Sequence, residues 1–271
     1  MKRSMDSKGK KGYKFAEKIS AFFKRLPASV KDMLYPENLT CDLCGEELRV
    51  ESRYNVCAKC MEKLPFIDGD ICLNCGVAID NEAQYCDRCQ NNPSLFKINR
   101  SPLIYDGEAR DMIHALKFGG KKYLVKTIGA MMADTFLKHH MEGEIIVPVP
   151  MSERDEKKRG FNQAELLAYE VGARLNIPVL PALKKTKETS MQKELAGKER
   201  AENLTKAFEV VYPQVKDRKI LLIDDIFTTG ATAGECTKAL LKAKCKEVSV
   251  LTACITKLKP LMELAKYNKK K

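Results

Sequence analysis

Residues Lys219–Thr232 read K-I-L-L-I-D-D-I-F-T-T-G-A-T. Ile220, Leu221, Leu222 and Ile223 form a short aliphatic run, the pattern of a strand buried on both faces of a parallel sheet. Two carboxylates follow, Asp224 and Asp225, and then the small polar stretch Thr228, Thr229, Gly230, Ala231 and Thr232. Gly234 to Ala243 (G-E-C-T-K-A-L-L-K-A) reads as a helix. A strand, a short polar loop with glycine and a helix start together offer backbone N–H groups to an anion. Adjacent carboxylates at a strand end are costly without cationic or hydroxyl partners, a part that a ribose diol or Mg2+ beside the phosphate would fill. Read without a ligand, the two aspartates only end the strand and the threonines only cap the helix. The joint order of the whole stretch favours the ligand.

That order (apolar run, D-D, apolar, x, T-T-G-x-T) resembles the 5-phosphoribosyl-1-pyrophosphate (PRPP) motif of type I phosphoribosyltransferases and matches it at each defining position. The resemblance implies an α/β fold, an open and mainly parallel sheet with flanking helices, and it implies PRPP with Mg2+ as ligand.

A second block precedes this one. Cys41-x2-Cys44, Cys57-x2-Cys60, Cys72-x2-Cys75 and Cys86-x2-Cys89 are four C-x-x-C pairs among eleven cysteines. Two such pairs separated by ten or twelve residues supply four thiolates to a tetrahedral zinc, and the pattern occurs twice. We assign Cys41, Cys44, Cys57 and Cys60 to one metal and Cys72, Cys75, Cys86 and Cys89 to the other, while spacing alone also permits nested pairing. Each set is complete, so both zincs are expected to be structural and not catalytic. Gly45 and Gly76 follow the first and third pairs, where a positive φ helps N–H groups reach sulfur. A ribbon this small folds on its metal. It is therefore expected to be separable, so that Cys72→Ser would unfold it and leave PRPP binding in place. Arg49, Arg53, Lys59, Lys63 and Arg88 with Tyr54 and Tyr85 suit either a nucleic-acid contact or a solvated face.

Composition sets the outer bounds. The chain has 271 residues, 44% hydrophobic and 31% charged, as in a soluble protein with one larger domain and a small module. No apolar run is long enough for a transmembrane helix, and the amino end lacks a signal-peptide pattern. Many cysteines without a secretory signal point to thiolate metal sites in the reducing cytoplasm. The net charge of +12 is uneven: residues 1–31 hold ten Lys or Arg against Asp6 and Glu17. Such an arm is a nucleic-acid or anionic-surface contact, or a solvated tail.

Residues 1–13 are polar, and Phe15, Ile19, Phe22, Phe23 and Leu26 then fall at helical spacing up to Pro27. This amphipathic helix would lie on a membrane surface or pack against the zinc module. After a linker, Gln90 to Ser94, an extended segment runs from Phe96 to Tyr105, and helices are expected over Gly107–Phe118 and Lys122–His140. In the second, Leu124, Ile128, Met131, Met132 and Phe136 form one apolar stripe, with both methionines as core. Glu144–Pro150 is a buried strand, and Met151–Gln163 reads as a cationic loop, a second anion-binding loop before the helix Gln163–Leu175. Thr186–Asn203 is long, polar and charged. Ala207–Val211 and Glu247–Ile255 read as strands, and Cys236, Cys245 and Cys254 as packing thiols. His114, His139 and His140 have no partners at metal spacing.

The motifs C-D-L-C-G, C-L-N-C-G, H-A-L-K-F-G-G, V-P-V-P, R-G-F-N-Q-A-E-L, T-S-M-Q-K-E-L, R-A-E-N and L-L-I-D-D-I-F-T-T-G-A-T, in this order, resemble the ComF family over about residues 32–257. While the basic arm with its amphipathic helix (1–31) departs from the family's core pattern and a basic tail (261–271) closes the chain, the resemblance implies a double zinc ribbon (32–92) and a phosphoribosyltransferase domain (93–260). It implies that Asp224 and Asp225 are catalytic and meet the ribose hydroxyls, that residues 228–232 hold the 5′-phosphate, and that Lys117, Arg159 and Arg200 face the pyrophosphate. Thr189, Ser190 and Gln192 would belong to a hood over the site. The implied role is natural competence: cytoplasmic handling of incoming single-stranded DNA, with competence proteins as partners and room for an oligomer. No short motif reports an acceptor. Three readings stand side by side: a phosphoribosyltransferase, a non-enzymatic sensor of PRPP or nucleotides, and a zinc-ribbon nucleic-acid binder.

Overall fold

The computed structural model describes residues 40–48, 52–79, 83–186 and 207–257. The basic arm, the amphipathic helix before Pro27, Arg49, the T-S-x-Q segment, Arg200 and the basic tail lie outside the described residues. The chain divides into two compact units, residues 1–57 and 58–271. In the first, Thr40 and Glu47 form an antiparallel bridge around the Cys41 knuckle. Gly45 closes that turn at φ +78°, its N–H donating to the Cys41 carbonyl at 2.8 Å.

The second unit runs through α1 (Ala58–Lys63), α2 (Asp87–Asn91), β1 (Asn99–Arg100), β2 (Leu103–Ile104), α3 (Gly107–Phe118), α4 (Leu124–Lys138), β3 (Ile145–Pro148), α5 (Glu153–Arg159), α6 (Gln163–Leu175), β4 (Leu183–Lys185), β5 (Phe208–Val210), β6 (Lys219–Phe227), α7 (Ala231–Lys242) and β7 (Glu247–Ile255). Its main sheet is parallel, in the order β1-β7-β6-β3, with β2 also pairing β7. This is the expected α/β architecture. The strands β4 and β5 form a separate antiparallel ribbon, so the strand read at Ala207–Val211 does not join the main sheet.

The helix boundaries follow from local chemistry. Asp106 caps α3 by accepting the Gly107 N–H at 2.9 Å, and Ala109, Met112, Ile113 and Leu116 bury one face at helical spacing. Asn162 caps α6 through Ala164, while its amide donates to the Val149 carbonyl and ties the helix to the end of β3. In α4 the stripe Leu124, Ile128, Met131, Met132 and Phe136 is buried as expected. Cys236, Cys245 and Cys254 are likewise buried.

Two readings change. The strand does not stop before the aspartates: β6 continues through them to Phe227, because β7 is equally long and pairs as far as Phe227↔Ile255. The cationic loop after β3 is mostly helix. Ser152 caps α5 by accepting the Asp155 N–H, Glu153, Asp155 and Glu156 fill its first turn, and Lys157, Lys158 and Arg159 its last. That charge order suits the helix dipole, and Gly160 ends the helix at φ +81°.

The second ribbon shares a hydrophobic core with the sheet. Cys72, Cys75, Cys86 and Cys89 belong to one hydrophobic core with Val77, Phe96, Val147, Leu222, Phe227 and Val250. Hydrogen bonds run along the same seam: Asn99 donates its amide to the Cys75 carbonyl at 2.8 Å and its backbone N–H to the Asn74 carbonyl at 2.7 Å. Gly76 sits at φ +74°, where a Cβ would lie 2.5 Å from the Asn99 carbonyl oxygen. Unfolding this ribbon would therefore open the sheet's own core.

Gly45 and Gly76 occupy equivalent knuckle positions with unequal surroundings, since nothing lies within 4 Å of a Cβ built on Gly45. Gly45→Ala should cost only the strain of a left-handed residue, about 1–2 kcal/mol. Gly76→Ala should cost more, because the Asn99 backbone must also give way. Urea unfolding of the two variants checks this, and equal costs would mean that the second ribbon docks loosely.

Candidate phosphoribosyl site and zinc centres

Beyond Ile223, β6 carries its two carboxylates toward different neighbours. Asp224 lies near Cys236 of α7, whereas Asp225 lies near Cys254 of β7 and Lys117 of α3. Asp225 is buried at 5% exposure, and the Lys117 ammonium stands 2.7 Å from its Oδ2. This charged contact is the partner that Oδ2 has in the interior. Asp224 accepts the Asp225 N–H at 2.8 Å, yet its carboxyl is pushed up to about 8. Burial is the main cause and the Asp225 carboxylate the second, while the Asp225 N–H and Lys117 oppose them. The sequence expectation of costly adjacent acids is met, and the chain supplies one cation of its own.

The loop after β6 is open to solvent. Thr228, Thr229, Ala231 and Thr232 are exposed, and Thr229 Oγ1 accepts the Ala231 N–H at 3.3 Å. Gly230 is the N-cap of α7 at φ +81°, and it has no side chain to satisfy the first helical N–H groups. An anion there would act as the missing cap. A Cβ on Gly230 would lie 2.7 Å from Phe227 Cζ, so the turn sits directly on that ring.

The predicted cations are placed unevenly. Lys117 reaches the acidic pair. Arg159 donates to Gln163 Oε1, and its guanidinium stands 5.0 Å over the Phe118 ring. Lys122 lies 4.5 Å over Phe161. A cavity of ≈250 Å3 beside the end of β3 is lined by Glu153, Glu156 and Glu165 against Lys184 and Lys185, so acids outnumber cations there. Of the histidines, His114 is exposed and stacks at a tilt on Phe118, and His139 is partly buried. Arg88 Nη1 donates to the Thr228 carbonyl at 3.1 Å, and neither this contact nor the Lys117–Asp225 pair is legible in the sequence. Each joins segments more than a hundred residues apart, and the only local sign was an arginine between Cys86 and Cys89.

Both cysteine sets converge as assigned. Within Cys41, Cys44, Cys57 and Cys60, and within Cys72, Cys75, Cys86 and Cys89, the sulfurs all lie within 4.8 Å of one another. The nested pairing is thereby removed. In each set burial raises the first thiol, but backbone N–H groups outweigh it and bring Cys41 and Cys72 down to about 7. Cys75 is pushed up to about 11 by burial, with Cys72 and Cys86 adding to it. Four crowded thiols resist joint ionisation unless a divalent cation sits among them, and four sulfurs at tetrahedral reach fit structural zinc. Arg100, 8% exposed, donates to the Asn99 and Leu73 carbonyls beside the second set and offsets part of its negative charge.

Residues 30–90 match the double zinc ribbon domain family. Competence protein F of Haemophilus influenzae is 29% identical over 224 residues, covering 79% of this chain and 95% of that protein. Competence protein ComFC of Bacillus subtilis is 30% identical over 207 residues, covering 73% and 82%. DNA utilization protein YhgH of Escherichia coli is 27% identical over 222 residues, covering 80% and 96%. Among solved structures, the allosteric regulatory enzyme of purine biosynthesis is similar over 49% of this chain, with 20% identity and a TM-score of 0.36, and the match spans 26% of that enzyme. A purine phosphoribosyltransferase from Pyrococcus horikoshii is similar over 51% of this chain and 79% of its own, with 16% identity and a TM-score of 0.32. Among the described residues no helix is long and apolar enough to cross a membrane.

The raised pKa of Asp224 has a signed consequence. The folded protein holds this proton more tightly than the unfolded chain, where an aspartate titrates near 4. The stability it contributes is present in full below about pH 4 and is lost as pH rises toward about 8. Against Asp224→Asn, the wild type should lose at most about 1.4 kcal/mol per pH unit across that window. Urea midpoints of both proteins measured from pH 5 to 8 check it; parallel curves would place the titration elsewhere.

Proposed function

The chain belongs to the ComF family of competence proteins, and on that premise we propose that residues 224–232 bind PRPP with Mg2+. The observation that carries this reading is the juxtaposition of two adjacent carboxylates in β6, with Lys117 2.7 Å from Asp225, and an open loop whose helix cap is a positive-φ glycine. The carboxylates would accept the ribose hydroxyls or reach Mg2+, and the loop N–H groups and threonine hydroxyls would hold the 5′-phosphate. Lys117, Arg159 and Arg200 are proposed for the pyrophosphate, Lys117 being the one that reaches the acidic pair. The activity such a site supports is phosphoribosyl transfer: pyrophosphate leaves the anomeric carbon as an acceptor binds it, and the cations stabilise the departing charge. A sensor would use the same contacts without an acceptor. Pyrophosphate release, followed across nucleobases and ammonia, separates the two.

A second reading concerns single-stranded DNA. Phe118 is 64% exposed beneath the Arg159 guanidinium, and Tyr123 is 49% exposed nearby in sequence. Exposed rings flanked by cations suit the stacking of bases along a phosphate backbone. The names of the relatives, competence and DNA utilization proteins, agree with such a partner.

For the first reading, calorimetry with PRPP and Mg2+ should show binding that Gly230→Val abolishes, because valine cannot take φ +81° or the space held by Phe227. Asp225→Asn should weaken binding at least about tenfold, the loss of one charged hydrogen bond. Unchanged affinity in both variants would reject the site. For the second, log affinity for a single strand should fall with log salt by about 0.7 per phosphate neutralised. Removing residues 1–31 should make that slope shallower, and Phe118→Ala should weaken binding roughly tenfold at any salt. A strand bound equally well by both variants would leave neither the arm nor the ring as its contact.

A further inference from the structure

We propose that Arg88 is a positioning residue: it clamps the phosphoribosyl loop to the second zinc ribbon, so that the metal-bound ribbon sets the geometry of the loop. The inference rests on the PRPP reading of residues 228–232. Arg88 lies on α2 between the zinc ligands Cys86 and Cys89, and its side chain leaves the ribbon in two directions. Nη1 donates to the Thr228 carbonyl at 3.1 Å, and the guanidinium stands 5.7 Å over the Phe227 ring. The same guanidinium faces the sulfurs of Cys75, Cys86 and Cys89 electrostatically.

The Phe227 ring transmits the contact. It is 3% exposed and meets Phe96 edge-on, with centroids 5.8 Å apart and planes at 88°. Its far edge occupies the space beneath Gly230. The second cysteine cluster, guanidinium, ring and loop turn thus follow one another without a break. The donor arrangement also suits arginine in particular. A planar guanidinium can donate to a carbonyl while covering a ring face and keeping its charge beside the thiols, which an ammonium cannot do at once. A loop that must be open to its ligand has few contacts of its own, and Arg88 supplies an anchor from outside it.

The test uses the full chain, with Arg88→Gln, Arg88→Lys and Phe227→Leu. Elemental analysis should return two zincs per chain in the wild type and in Arg88→Lys. Backbone order parameters of residues 228–230 should be near 0.85 in the wild type and fall below about 0.6 in Arg88→Gln and Phe227→Leu. Arg88→Lys, which keeps the charge beside the thiolates, should restore zinc retention without restoring loop order. PRPP·Mg2+ affinity should drop about tenfold in step with loop order. Exchange of zinc for Cd2+ alters the metal–sulfur bonds without removing them. It should shift the Thr228 and Thr229 amide resonances in the wild type and not in Arg88→Gln. Loop order that survives both Arg88→Gln and Phe227→Leu, or amide resonances indifferent to Cd2+, would overturn the proposal. A wild type that does not bind PRPP would overturn the ligand reading alone, since order parameters and metal exchange still decide the clamp.

Discussion

The parallel pairing of β6 with β7 is the constraint from which the rest of the second unit follows. Both strands are nine residues long, and their ladder extends from Lys219↔Glu247 to Phe227↔Ile255. Ile220, Leu221, Leu222 and Ile223 are fully buried, so the strand cannot slip by one residue without exchanging its two apolar faces. The ladder carries the backbone past this run, and the two aspartates are drawn into the sheet instead of standing free beyond it. Desolvation there, with Asp225 alongside, raises the pKa of Asp224, and the buried Asp225 has the Lys117 cation beside it. The loop that remains between Phe227 and α7 is three residues long, and its shortness is what gives Gly230 its left-handed turn.

The two zinc ribbons share a sequence pattern and differ in their surroundings. Cys41, Cys44 and Cys57 belong to the first unit, where the described residues form one small knuckle with an antiparallel bridge. All four cysteines of the second set are buried in the core of the sheet, and Gly76, Asn99 and Arg100 close the seam. Metal binding in the first therefore folds a local structure, whereas in the second it also completes a face of the sheet that would otherwise meet water. A segment of this size buries too little apolar surface to hold that face without the metal.

Local signals were read well where they act locally. The bounds of α3, α6 and β7 are those expected, because Asp106 and Asn162 cap their helices and the apolar spacing has one period throughout. The cysteine pairs located both metal centres. The misreadings arose where the deciding partner is distant. The end of β6 depends on the length of β7, and the strand after Ala207 went to a separate ribbon because β4 was its partner. The stretch after β3 looked like a cationic loop only while its charges were counted together. Taken in order, acids first and bases last behind Ser152, they make a helix.

By itself, the sequence determined the two sets of four cysteines, the acidic pair and the glycine-centred loop, and through the motif they resemble, the α/β class. Each of these depends on residue type and on spacing within a few tens of positions. Only the tertiary structure decided that Lys117 faces Asp225, that the cysteines pair consecutively, and that Arg88 reaches the carbonyl of Thr228. These contacts join residues brought together by strand order and by the burial of a shared core. A pattern along the chain carries no record of which surfaces will meet, since that is settled by which faces can exclude water together.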